Sequence, residues 1–413
     1  MAGTHAVLAP SAAHRWMRCP GSLALTAGSG DRASSFAAEG TVAHMIADKV
    51  LSGNFDDETV FSLVGETIEA DGFNIKVTKD MIEHVLDFVR LAREYGEGGT
   101  LMSDQKVDFS PVVGFEGSTG TSDVVIIHPP QNGQPGRITV IDLKFGVGVK
   151  VDAFYSEELT IPGPDGMVTT MAQWPNEQMA LYALGALEDF GFITEIDEVV
   201  MVIHQPRLNH VSECSLSVKE LVAWGEKAKA HAQRAMGAME ETDVPVDVWE
   251  AENLVPGSKQ CRFCDAKATC PALQREVDET VVDDFKSIVA SQFEDDKVAA
   301  AMDRVDAIEQ WCKAVRAEVE RRLLAGQPVR GYKLVQGQQG NRAWVSEDDA
   351  EKKLKELSVS DDDAYKKKLI SPTDAEKLLK KKKPDEWAAL QSLITRAAGK
   401  PSVAEAIAYK PST

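Results

Sequence analysis

The stretch "VIDLKFGVGV", residues 140–149, decides how this chain is read. Its apolar residues describe a buried strand, yet Asp142 and Lys144 sit inside it two positions apart. Side chains alternate faces along a strand, so these two share one face with Val140, while Ile141 and Leu143 point to the other. A carboxylate and an ammonium on one face of a core strand have two readings. One is an ion pair at the strand edge, which is common and needs no function. The other is a face that does chemistry.

Working outward, "MSDQKVDFS" (102–110), "STGTSDVVIIH" (118–128) and "RITVIDLKFG" (137–146) read as three strands, the last two joined by the turn residues "QNGQPG". Pairing of that hairpin brings Asp123 near Asp142. Two close carboxylates repel unless a cation sits between them. Oxygen ligands of this kind suit Mg2+ or Mn2+. Such an ion lowers the pKa of a bound water, and Lys144 is then placed to orient that water or to offset charge on a phosphate.

Helices flank the strands. "AAEGTVAHMIADKVL" (37–51) spaces Val42, Ile46 and Val50 by four. "TKDMIEHVLDFVRLAREYG" (78–96) has Thr78 as its cap and Met81, Val85 and Phe88 in its stripe. "NEQMALYALGALEDFG" (176–191) is a helix, "IDEVVMVIHQPR" (196–207) a strand and "SVKELVAWGEKAKAHAQRAM" (217–236) a helix. Residues 53–77 and 150–175 read as loops. This order predicts an α/β fold with a mixed central sheet flanked by helices. A long helical pattern over 297–325, a β-hairpin near 331–345 and short charged helices follow, so a domain boundary is expected near 285 and the C-terminal region should be mainly helical.

The bulk numbers exclude several classes. At 413 residues the chain exceeds one ordinary core. With 43% hydrophobic and 27% charged residues it reads as globular and water-soluble. No apolar run reaches the ~18 residues of a membrane span, and the N-terminus lacks a signal-peptide pattern. A cytoplasmic location is expected, the host cytoplasm if the chain is phage-encoded, and thiols there stay reduced. The net charge of −20 argues against bulk attraction to nucleic acid. Contact with DNA therefore requires a local basic groove or neutralising metal ions.

Six cysteines are present, and three form "CRFCDAKATC". Cys261, Cys264 and Cys270 follow C-x-x-C-x5-C, a spacing that suggests metal rather than disulfides in a reducing compartment. Cys19 in "RWMRCPGS" and Cys270 each precede proline, as is common beside iron–sulfur ligands. Zinc is the alternative.

The ordered motifs "EGTVAH" (His44), "GTSD" (Asp123), "IDLK" (Asp142 to Lys144) and "QMALY" (Gln178 to Tyr182) resemble the PD-(D/E)XK nuclease superfamily, most closely its RecB-like branch with a restriction-endonuclease-like sheet. The resemblance implies that His44, Asp123, Asp142 and the backbone carbonyl of Leu143 bind the metal. It implies further that Lys144 assists the attacking water and that Gln178 and Tyr182 shape the site or touch DNA. Asp104 stands where relatives often carry a glutamate and is an auxiliary acid by this reading, or a structural one. One N-terminal and three C-terminal cysteines resemble the AddB-type and CRISPR adaptation nucleases, implying a [4Fe–4S] cluster on Cys19, Cys261, Cys264 and Cys270. Similar stretches ("CPGS", "DLKFG", "QMALYALGAL") mark a phage and prophage family of RecB-like proteins. DNA is then the expected partner, together with a phage recombination or single-strand-binding protein, and the expected activity is a deoxyribonuclease, an exonuclease in DNA recombination. The competing reading is a non-catalytic nucleic-acid-binding protein with a structural metal–thiolate site.

Two basic segments remain. Tyr332, Lys333, Arg342 and Trp344 could interleave bases and phosphates from one hairpin, or pack on the long helix. "KLLKKKKP" (377–384) reads as a solvated helix end or a phosphate patch. The chain has no G-x-x-x-x-G-K-[ST] motif, which excludes a P-loop helicase.

Overall fold

The computed structural model describes residues 6–27, 34–131, 133–146, 148–163, 166–241, 243–278, 295–334, 353, 356, 375, 379 and 383–393. It divides into two compact units, 1–333 and 334–413.

The first unit is built on a five-stranded mixed sheet in the order β3-β4-β5-β8-β9. Its strands are β3 (Thr100–Asp108), β4 (Thr119–His128), β5 (Arg137–Leu143), β8 (Glu198–Gln205) and β9 (His210–Ser217). All neighbours are antiparallel except β5 and β8. A parallel pair needs a crossover. Here it comprises an antiparallel two-stranded arm, β6 (Phe154–Gly163) and β7 (Gly166–Pro175), and the helix α7 (Glu177–Phe190).

Alternation in β5 divides the core into two layers. Ile138 and Val140 join α7 and α8 (Val218–Glu240) on one face. Ile141 and Leu143 join α3 (Ser35–Leu51) and α5 (Lys79–Tyr95) on the other. α7 lies so close to the sheet that a Cβ on Gly185 would stand 2.9 Å from Val107. Gly185 therefore has no room for a side chain there. Thr78 caps α5 by accepting from Met81 N, as its sequence predicts.

Short helices α1 (Ala13–Trp16) and α2 (Ser22–Thr26) precede α3, α4 (Asp57–Ser62) follows it, and α6 (Ser110–Val113) follows β3. α9 (Val246–Asn253) leads into the cysteine segment, and α10 (Asp295–Leu324) is the long helix expected near 297–325. In the second unit, α11 (Pro384–Leu390) is helical.

Three expectations are corrected. Residues 150–175 are not loop: β6 and β7 pair from Phe154–Pro175 to Gly163–Gly166. Residues 53–77 hold α4 and a hairpin, β1 (Thr67–Ala70) with β2 (Phe73–Lys76), turning at Asp71 and Gly72 with φ of 50° and 78°. Asp-Gly in left-handed geometry is the favoured two-residue hairpin turn. The domain boundary falls after Lys333 rather than near 285. The physical reason is that Ala307 and Trp311 of α10 pack with Cys19, Cys261, Cys270 and Leu273, which ties α10 to the first unit. The expected hairpin over 331–345, with Arg342 and Trp344, and lysines 377 and 380–382 lie outside the described residues, apart from residues 331–334. Tyr332 is exposed there, and Lys383 pairs with Glu386 at 3.6 Å. Among the described residues no helix is long and apolar enough to cross a membrane.

Candidate functional site

The sheet opens where the carboxylates stand. β4 and β5 pair from His128–Arg137 to Val124–Ile141 and stop one step short of Asp123 and Asp142. Asp123 takes over the missing ladder bond, its Oδ2 accepting from Leu143 N at 2.6 Å. On its other side, β3 pairs Ser103 with Val124 and Gln105 with Ser122 but skips Asp104, which sits opposite Asp123 with φ of 49°. Left-handed backbone is uncommon for a residue with a Cβ, and aspartate tolerates it better than most. β4 is thus released from both neighbours at Asp123.

By strand parity Asp123 and Asp142 face the α7 side, and α7 supplies the next groups. Asp142 is 4% exposed. Its Oδ1 accepts from Gln178 Nε2 at 3.1 Å, and Lys144 Nζ lies 3.0 Å from its Oδ2. Oδ2 is buried and has the Lys144 ammonium as its one close polar neighbour. Lys144 also donates to Gln178 Oε1 at 2.8 Å, and Gln178 Nε2 lies 3.0 Å from the Tyr182 hydroxyl. Gln178 therefore spans the acid, the base and the phenol. Its own position is set by Asn176, whose Oδ1 accepts from Gln178 N at 3.0 Å and caps α7. Gly120 of "GTSD" makes room for Tyr182: a Cβ there would meet Tyr182 Cε1 at 2.7 Å.

His44 arrives from the opposite layer. α3 packs its Val42, Ala43 and Ile46 under the far face of the sheet, and His44 Nδ1 reaches Asp123 Oδ1 at 2.8 Å. One turn on, Asp48 Oδ1 accepts from Ser103 Oγ at 2.7 Å.

The electrostatics follow from this crowding. Burial raises the Asp142 pKa, Lys144 opposes that rise, and Asp123 adds to it. Burial works against a charged His44, but the Asp123 carboxylate outweighs it and lifts the histidine above its ordinary value. Burial also raises exposed-edge Asp104, with Asp48 and then Asp123 adding to the shift. Burial raises the Tyr182 hydroxyl as well, so it stays protonated.

The expected residues His44, Asp123, Asp142, Leu143, Lys144, Gln178 and Tyr182 thus share one constellation, with Asp104 at its edge. Sequence reading missed Asp48, although its i+4 offset from His44 puts both on one helix face. Gly120 and Asn176 were also missed as supports; only their neighbours' chemistry marks them.

The second expected group also converges. Cys19, Cys261, Cys264 and Cys270 line one cavity with Arg15 and Lys267. All four are buried free thiols. Val255 N donates to Cys19 Sγ and Gly257 N to Cys261 Sγ, each at 3.4 Å. Burial pushes the Cys261 thiol up to about 12 and raises Cys19 and Cys264. Buried thiols of this kind ionise when a cation compensates them. Cys214 and Cys312 are half-buried and lie elsewhere. Among the described residues no three His, Cys, Asp or Glu side chains are already drawn to a common ligating point.

The donor sets differ in the way their chemistry requires. The carboxylate–imidazole group offers hard oxygen and nitrogen, including the buried Asp142 Oδ2, and fits a divalent cation such as Mg2+ or Mn2+. The four thiols, with amides and cations around them, fit zinc or an iron–sulfur cluster.

A family model described as "Protein of unknown function (DUF2800)" matches residues 5–410. No solved structure matches the chain.

Proposed function

We propose that this chain, which belongs to the DUF2800 family along nearly its whole length, is a metal-dependent deoxyribonuclease of the PD-(D/E)XK type carrying a thiolate-bound iron–sulfur cluster. One observation carries the reading: a buried aspartate, Asp142, stands among His44, Asp123, Lys144, Gln178 and Tyr182 where two strands part.

His44, Asp123 and Asp142 would hold the divalent cation, joined by the Leu143 carbonyl that the family resemblance implies. Bound there, the cation supplies Lewis-acid polarisation of a phosphate and a water of lowered pKa. The chain's own groups do the rest. Lys144, fixed by Asp142 and Gln178, holds a positive charge where a phosphodiester oxygen gains negative charge during hydrolysis. Gln178 keeps Lys144 and Asp142 in register, and Tyr182 anchors Gln178 in turn. Asp123 orients His44 and at the same time binds the Leu143 amide, so the imidazole and β5 are positioned by one carboxylate. A metal or cluster held by Cys19, Cys261, Cys264 and Cys270 would cross-link the segment at residue 19 to that at 261–270 and so restrict the unfolded chain.

The test is incubation of purified protein with end-labelled linear and with circular DNA plus Mn2+ or Mg2+, beside an Asp142→Ala control. Cleavage of linear DNA alone identifies the exonuclease we expect, and cleavage of both forms an endonuclease. Binding without cleavage in every metal sinks the hydrolase reading and leaves the non-catalytic nucleic-acid-binding protein.

A further inference from the structure

The two candidate centres are joined by an ion pair. Arg18 adjoins Cys19, and Glu177 adjoins Gln178. Arg18 Nη2 lies 2.5 Å from Glu177 Oε1. Glu177 is 6% exposed, and a carboxylate that buried requires a counter-charge. The guanidinium is itself anchored in the cysteine segment, where Nη1 donates to His14 O at 3.0 Å. Its face covers the Tyr155 ring at 5.3 Å, and Lys259, two residues before Cys261, covers the same ring at 4.7 Å. Both cysteine-bearing segments therefore hold the base of β6, and one of them also holds the first turn of α7. That turn carries Gln178, the residue spanning Asp142, Lys144 and Tyr182.

We infer that Arg18 and Glu177 are positioning residues: their ion pair transmits occupancy of the cysteine site to the first turn of α7 and so sets Gln178 over Asp142 and Lys144. The inference rests on the cysteine cavity being a metal–thiolate centre, as proposed above. Loading fixes the Cys19 segment, which fixes Arg18, which fixes Glu177. In the stripped protein the Cys19 segment that carries the guanidinium is less fixed, and the first turn of α7 opens more often. Such coupling requires an element with two arrangements that one site biases. The fraying first turn of a helix is such an element.

Hydrogen–deuterium exchange on the full chain tests this without any DNA. The protein is loaded anaerobically with iron and sulfide, or with zinc in a second arm, and compared with chelator-stripped protein. Stripping should speed exchange at amides 177–182 by about tenfold in the wild type. In Arg18→Met the loaded protein should already exchange at the stripped rate, and Arg18→Lys should recover part of the protection. Amides of β5 and β8 serve as the internal reference. A variant in which they also speed up is globally destabilised, and Glu177→Gln, which keeps the side-chain shape, then takes its place. Three results overturn the inference: full protection of loaded Arg18→Met, equal loosening on stripping in variant and wild type, or a cysteine site that takes up neither iron nor zinc. A protein with coupled exchange that cleaves no DNA would refute the nuclease proposal alone. An active nuclease with uncoupled exchange would refute only the role of the ion pair.

Discussion

Replacing Asp142 with asparagine should make the metal-free protein more stable and the metal-loaded protein inert. Asp142 is 4% exposed, its Oδ2 lacks a hydrogen bond, and burial is the largest influence on its pKa, which is raised despite Lys144. A raised carboxylate pKa means the folded state prefers the neutral acid. The stability that goes with neutrality is complete below the unfolded pKa and is lost as pH climbs through the folded one. Once pH exceeds that folded value, the charge of Asp142 costs stability; asparagine escapes that cost and keeps an oxygen for Gln178 Nε2, although its amide nitrogen then faces the Lys144 ammonium. Lys144 retains its bond to Gln178 Oε1 and is part-exposed, so losing the pair costs it little. An unsatisfied buried polar atom costs about 1–3 kcal/mol, so the expected gain is about 1 kcal/mol, or about 2 °C in Tm for a unit of this size. Cation binding reverses the ranking. At about 100 times its Kd, Mn2+ stabilises a binding protein by ~2.7 kcal/mol, and Asp142→Asn should gain almost none of this. Thermal unfolding with and without Mn2+, run beside the cleavage assay, reads both effects. Cleavage should fall at least ~10³-fold. A variant less stable than wild type without metal, or one that Mn2+ stabilises as much as wild type, would refute the claim that Asp142 carries buried charge that Lys144 alone does not offset.

The other expectations can be stated briefly. His44 has its pKa raised by Asp123 against the effect of burial, so in metal-free protein its stabilisation is present below its unfolded value of about 6.5 and lost as pH rises through the folded one. Denaturant melts should therefore show His44→Ala more costly at pH ~5 than at pH ~8. Metal binding should weaken on the acid side in wild type as protons compete for the imidazole, which calorimetry with Mn2+ reads. Cys19→Ser and Cys261→Ser should each abolish the brown colour and blue-end absorption of iron-loaded protein; colourless wild type that retains zinc would transfer the site to zinc. Gly120→Ala should cost ~1–3 kcal/mol, since its Cβ would fall 2.7 Å from Tyr182 and Pro10, and cleavage should drop with it; unchanged stability would show that Tyr182 is not seated there.

The centre of the fold was legible because its signals were local and agreed with one another. In β5 the alternation of Val140 against Ile141 and Leu143 named both core layers, and those residues do fall in separate layers. Thr78 announced α5, and the stripe Val42, Ile46, Val50 announced α3. Strands that pack little were hidden. β9 is an edge strand whose alternate positions, such as Glu213 and Ser215, are polar, so its pattern carries little strand signal. The β6–β7 arm pairs only with itself, which frees its composition from the demands of a core, and prolines and glycines then suggested loop. β1 and β2 did carry a local signal, Asp71-Gly72, but their strands are four residues each and mostly exposed.

For the site, residue types were legible and their meeting was not. His44 and Asp123 are 79 positions apart and belong to different layers, yet they touch. What joins them is the break in pairing on both sides of Asp123, caused by Asp104 leaving strand geometry and by β5 diverging after Ile141. Had the ladder continued one more step, the Leu143 amide would have bonded to backbone and Asp123 would have had no such donor. The parallel β5–β8 pair then imposes a crossover, and that crossover must lay a helix across the α7 side of the sheet. Asn176 fixes where the helix begins by binding the Ala153 and Asp152 carbonyls, which sets Gln178 at the open strand ends. A carboxylate at position 142 of a continuous sheet would be an unsupported buried charge. At the end of an interrupted one, beneath a capped helix, it has Gln178 on one oxygen and Lys144 beside the other, with Asp123 and His44 next to it, and that grouping of oxygens and imidazole is the feature a cation would satisfy.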